Sequence, residues 1–210
     1  MSALPAPTFS VDGPTLKAAL ARWCQAMTTA APELNALDAR LGDGDLGTTL
    51  QRCAENITGA LPTSGDSPAA IFKACASACA KASGSSFGTL LAVAFLTAAK
   101  SPHAATALDR DAMVAILSAA LEALMARGGA KLGDKTMLDS LEAISRALHE
   151  APANADAAML KSAAHNAATT ALDALRNHPN KIGRARMFAQ QSVGLDDPGM
   201  VAVLRMVEML

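Results

Sequence analysis

Apolar side chains recur every three or four positions along most of the chain, the spacing that lines one face of an α-helix. Residues 14–30 set the pattern: Leu16, Leu20, Trp23 and Met27 fall on one face, and Pro14 stands at a first helical position behind Gly13. The same period predicts helices over 31–41, 47–61, 67–82, 87–100, 109–128, 135–151, 156–178 and 198–210. Alternating β-branched runs with hairpin turns are absent, which argues against strands. Glycine and proline punctuate the segments, with no interdomain linker, internal repeat or low-complexity tract. The expected fold is all-α: a single-domain antiparallel helical barrel or bundle of about eight helices over residues 1–210, with 1–13 as an N-terminal extension.

Composition narrows this picture. Of 210 residues, 51% are hydrophobic but only 3% aromatic, so the core must be built from Ala, Leu, Val and Met. A net charge of -1 with no long run of one sign offers no footprint for nucleic acid. The first residues lack the basic end and apolar stretch of a signal peptide, and no apolar run reaches a membrane span of ~20 residues. A cytoplasmic location is expected. Cys24, Cys53, Cys75 and Cys79 lie in apolar helical pattern without zinc-finger spacing, and read as buried reduced thiols.

The chemistry concentrates where the helices break. "LDARLGDGDLGTT" gathers Asp38, Asp43 and Asp45 among glycines. Both residue types are poor in a helix interior but apt where backbone meets a ligand. Three carboxylates brought together repel unless a cation joins them, and oxygen donors without His or Cys favour Mg²⁺ or Ca²⁺. An EF-hand does not fit, since counting from Asp43 puts Ala54 where a bidentate Glu is required. Spacing alone equally allows these acids to cap helices at a solvated turn. "GGAKLGDKT" approaches a P-loop, but Asp134 intervenes before Lys135 and no strand precedes it. Ser83, Ser85, Ser86 and Thr89 suit phosphate donation or helix capping, and Arg184 and Arg186 suit a phosphate clamp or plain solvation. On periodicity alone Met137 and Trp23 read as core. The four histidines have no Ser/Asp arrangement beside them, so a hydrolase triad has no support.

Four separated motifs, "LDARLGDGDLGTT", "SGSSFGT", "GDKTMLD" and "GRARMFAQQSVGLDDPG", stand in an order that resembles the nucleotide-binding L subunit or L domain of dihydroxyacetone kinases. The resemblance runs from about residue 14 to the end. It implies a barrel of antiparallel helices with a nucleotide site at one end. It further implies that Asp38, Asp43 and Asp45 hold two Mg²⁺ ions bridging ATP or ADP phosphates, with Leu46, Gly47, Thr48 and Thr49 in the adjoining turn. Ser83 and Gly84 would lie by the phosphates, Gly128 and Met137 around the adenine, and Arg184 as the catalytic, phosphate-contacting arginine. Asp197, Pro198 and Gly199 would form the last loop closing on the nucleotide.

The implied activity is phosphoryl transfer from Mg-bound ATP to dihydroxyacetone or a related short ketose. In the family the ketose is held by a separate K subunit, so activity is expected only with that partner. Leu46 departs from the His, Cys or Thr that many relatives carry, which leaves only a backbone role there. Lys81 and Ala82 replace small residues before the serine-glycine pair. "GDGDLGTT" leans toward the ATP-dependent branch. Two alternatives stay open: a branch in which tightly bound ADP is rephosphorylated by a phosphotransferase-system phosphocarrier, and a non-catalytic Mg-ADP-binding regulator. A homodimer is equally open.

Overall fold

The computed structural model describes residues 9–82 and 86–210. Eight α-helices occupy most of that span: α1 (Gly13–Asp38), α2 (Leu46–Ala60), α3 (Pro68–Lys81), α4 (Ser86–Lys100), α5 (Arg110–Gly128), α6 (Met137–Glu150), α7 (Ala157–Leu175) and α8 (Pro198–Glu208). Their starts are written in the sequence. Asp12, Ser67, Asp109, Thr136, Asp156 and Asp197 each turn a side-chain oxygen onto a first-turn N–H. Pro14, Pro68 and Pro198 sit where a missing N–H costs nothing. At α6 the cap is reciprocal: Leu138 N–H donates to the Thr136 hydroxyl at 3.2 Å, and Thr136 N–H donates to Asp139 Oδ2 at 2.8 Å.

The segments expected over 14–30 and 31–41 form one helix. α1 continues through Pro32 because Met27, Ala30, Ala31 and Leu34 make an uninterrupted buried face across it. Apolar burial here outweighs the backbone bond that proline removes. Ahead of α1, Val11 and Leu108 exchange backbone hydrogen bonds at 2.8 and 2.9 Å, so residues just before the helix lie against the start of α5.

Each helix packs on the next, and α8 closes on α1, making a ring of eight. The short connections from α1 to α7 make successive members antiparallel, and a longer one, 176–197, leads to α8. The ring is filled by small and aliphatic side chains, with Leu34, Leu50, Ile57, Ile71, Leu124 and Met200 fully buried. Its few rings cluster, Trp23 edge-on to Phe95 at 6.2 Å and Phe72 stacked on Phe95 at 6.3 Å. The four cysteines are buried free thiols within this core. Burial pushes the Cys75 thiol up to about 12, out of reach of thiolate chemistry. The closure of α8 on α1 is charged: Arg205 grips Glu33 with Nη2 at 2.7 Å and Nε at 3.0 Å, and bonds Glu208 with Nη1. No helix among the described residues is long and apolar enough to cross a membrane.

Candidate functional site

Antiparallel order has a geometric consequence at one end of the ring. The starts of α2, α4, α6 and α8 meet the ends of α1 and α5 around an open cavity of about 520 Å³. Its walls include Leu41, Leu46, Phe87, Leu90, Leu124, Met137, Leu138 and Ile182, which are apolar, and Asp38, Asp43, Asp45, Arg127, Arg184 and Asp197, which are not. Four helix N-termini at one place set a positive field suited to an anion.

Asp38, Asp43 and Asp45 each present a carboxylate oxygen, all within 4.8 Å of one another. The turn that brings them together is built around Asp38: its Oδ2 accepts the N–H of Asp45 at 3.0 Å and of Leu46 at 3.3 Å. Gly42 passes over the same carboxylate, since a Cβ there would come within 2.6 Å of Asp38 Oδ1. Gly44 turns with φ +75, a conformation that side chains resist. Three hard oxygen donors this close fit a divalent cation such as Mg²⁺. In this structure the Arg184 guanidinium pairs with Asp43 and supplies positive charge to the cluster.

Leu46 lines the cavity beside these carboxylates, whereas Gly47, Thr48 and Thr49 do not. They are engaged in packing. A Cβ on Gly47 would lie 2.0 Å from the Ala31 carbonyl, so this glycine is where α1 and α2 touch backbone to backbone. Thr48 N–H donates to Asn35 Oδ1 and Asn35 Nδ2 donates to the Thr48 hydroxyl, both at 3.0 Å. Thr49 is buried. Two of the first-turn N–H groups of α2, those of Leu46 and Thr48, are therefore already taken by Asp38 and Asn35. Ser83 and Gly84 lie outside the described residues; Ser86, Phe87 and Thr89, just beyond, line the cavity.

Across the cavity, Gly128 ends α5 and Met137 opens α6, both on the wall. Met137 is nonetheless 6% exposed, so its core character and its place on the wall coexist. Asp197, Pro198 and Gly199 line the cavity at the head of α8. Asp197 accepts Met200 N–H at 2.9 Å and Asn180 Nδ2 at 2.7 Å, yet burial raises its carboxyl to about 6.

Several residues here carry no local signal in the sequence. Asn35 fixes the start of α2 from the last turn of α1, and Phe87, Arg127 and Ile182 complete the walls. Lys135, in the "GDKTMLD" motif, is 1% exposed, with burial lowering its pKa and the nearby Asp197 opposing that shift.

A family model described as the DAK2 domain matches residues 40–210. The chain is 36% identical over 183 residues to the triokinase/FMN cyclase of Bos taurus, covering 85% of this chain and 31% of that protein. It is 26% identical over 193 residues to the ADP-binding subunit DhaL of the PEP-dependent dihydroxyacetone kinase of Escherichia coli K12, covering 91% of this chain and 92% of that one. It thus spans about a third of the length of the triokinases it matches and nearly all of the bacterial subunit. A crystal structure of the dihydroxyacetone kinase of C. freundii in complex with AMP-PNP and Mg²⁺ superposes with a TM-score of 0.72 at 24% identity, over 99% of this chain and 35% of that one. The matched third of that structure shares the all-helical fold. With a family match that takes in seven of the eight helices and the loops between them, the chain belongs to the DAK2 domain family.

Proposed function

We propose that this domain is the nucleotide-binding part of a dihydroxyacetone or related short-ketose kinase. It would supply the phosphoryl group of Mg-bound ATP to a ketose held on a separate K-type subunit. The reading rests above all on one observation: three carboxylates within 4.8 Å of one another at the edge of an open, largely apolar cavity. Such a pairing suits a ligand with a metal-bound polyphosphate at one end and a flat apolar base at the other.

In this proposal Asp38, Asp43 and Asp45 hold Mg²⁺, which when bound neutralises phosphate charge and fixes the phosphates for in-line transfer. Arg184 adds a positive charge at the same place, shared between Asp43 and a phosphate oxygen. The starts of α4, α6 and α8 favour the remaining negative charge, and the Phe87, Leu90 and Met137 wall receives the base together with Gly128. No side chain of the chain acts as nucleophile. Positioning and neutralisation carry the catalysis, as phosphoryl transfer allows.

The near-complete overlap with an ADP-binding subunit of a PEP-dependent kinase favours a second reading, in which ADP stays bound and is recharged by a phosphocarrier. Exchange separates the two: ADP that leaves readily supports ATP consumption, and ADP that is retained through gel filtration supports the cofactor role.

Asp45→Asn tests the metal assignment. Its helical circular dichroism should match the parent, while the Mg²⁺-dependent part of ADP binding, read by calorimetry, should be lost. Unaltered affinity would remove Asp45 from the metal site.

A further inference from the structure

Lys135 is the largest fully buried side chain of the described residues, and it carries a charge. Its backbone adopts φ +62, the one positive value at a described non-glycine residue. What holds it there is chemistry at the tip. Lys135 Nζ donates to the carbonyl oxygens of Arg176 at 2.9 Å, His178 at 2.9 Å and Ser192 at 2.8 Å. An ammonium has three protons, and all three are used. The carbonyls belong to the two ends of one excursion of the chain: residues 176 and 178 lead into it, and 192 leads out.

Other bonds close the same neck. Gly194 N–H donates to the Arg176 carbonyl at 2.9 Å, Asn180 N–H donates to Ser192 Oγ at 2.8 Å, and Asn180 Nδ2 bonds the carbonyl of Lys135 itself at 2.9 Å. Between the tied ends lie Ile182, Gly183, Arg184 and Ala185, which form one wall of the cavity. The excursion is an Ω-shaped loop, a compact surface form whose two ends lie close together.

We propose that Lys135 is a positioning residue: its buried ammonium acts as a tethered cation that gathers both ends of the 178–192 loop and so fixes Arg184 over the cavity. The inference rests on the reading of the cavity as a nucleotide site for its functional consequence, but not for the clasp itself. A carbonyl cage of this kind binds a charge, so an apolar side chain of equal length does not replace it, whereas a free ammonium of the right length does.

Three variants and a small-molecule rescue test it. Lys135→Met keeps length and bulk without charge; Lys135→Ala leaves a slot that propylammonium matches atom for atom. Trypsin reads the loop directly in the nucleotide-free protein, because Lys181, Arg184 and Arg186 lie within it. The expected result is cleavage at these three sites at least tenfold faster in both variants, with helical circular dichroism retained and cleavage elsewhere unchanged. Propylammonium, but not propanol, should slow it again in Lys135→Ala. Mg-ADP affinity should fall at least tenfold in parallel, and Lys135→Arg should recover part of it. Cleavage of Lys135→Met at the parental rate would overturn the proposal. So would loss of protection throughout the chain, which would make Lys135 a general element of the core. If Lys135→Ala does not fold, Lys135→Met decides alone. Should the parent bind no nucleotide while the loop still loosens without Lys135, the functional reading falls and the clasp stands.

Discussion

At the scale of single residues, the site is a set of charges held in unequal surroundings. Asp38 is fixed by two backbone N–H groups, Asp43 meets Arg184, and Asp197 is buried at the head of α8. Burial raises the Asp197 carboxyl to about 6, outweighing the bonds from Met200 and Asn180. That shift fixes the sign of a pH effect. Below the ordinary value of 3.8 the carboxyl is protonated in folded and unfolded chains alike; between 3.8 and about 6 the folded chain keeps a proton that the unfolded chain has lost. Stability from this group is therefore full at the acid end and lost as pH rises through about 6, by an amount on the order of 3 kcal/mol. Chemical denaturation of the parent and of Asp197→Asn from pH 4 to 7 isolates it: the difference between the two should shift steadily against the parent as pH rises. A difference independent of pH would mean that Asp197 titrates as an ordinary carboxylate.

Single residues were readable to the extent that their signal is local. Asp38, Asp43 and Asp45 fall within one turn of the sequence, so their meeting could be anticipated from spacing and glycine content. Lys135 could not be understood that way, because its three partners lie at 176, 178 and 192 and only the fold brings them to it.

At the scale of elements, periodicity and caps placed the helices well, and Pro32 misled for a physical reason: a buried face that continues on both sides carries the helix across it. Gly47 illustrates a different limit. Within "GDGDLGTT" it reads as part of a phosphate-facing turn, yet it sits where α2 meets the Ala31 carbonyl of α1. Whether a glycine serves a ligand or a neighbouring helix is decided by a residue sixteen positions away. Gly47→Ala gives a diagnostic sign. An alanine in a helix interior is ordinarily better than glycine by about 1 kcal/mol. Here the added methyl meets a backbone oxygen at 2.0 Å, so the substitution should destabilise by about 2 kcal/mol or more in urea denaturation. A neutral or stabilising result would show that the two helices separate without cost. Asn35 belongs to the same contact, tying the last turn of α1 to the first turn of α2.

At the scale of the molecule, the candidate site follows from a ring with an even number of antiparallel members. Alternate helices must begin at the same end, so the N-termini of α2, α4, α6 and α8 collect there without any one loop specifying it. The sequence, read in order, contained the breaks that carry the candidate site residues, and only the resemblance implied that they share one end; the fold brings them there by the closure of α8 on α1, in which Arg205 grips Glu33 across 172 positions of the chain. The cavity formed there joins an apolar pocket to a cluster of carboxylates, and the central claim is that this combination binds a metal-bound adenine nucleotide. Calorimetric titration of the purified, nucleotide-stripped protein with ADP, with and without Mg²⁺, tests it most directly. The proposal predicts stoichiometric binding of one ADP that weakens at least tenfold when Mg²⁺ is withheld; absence of binding in both conditions, or affinity indifferent to Mg²⁺, would contradict it.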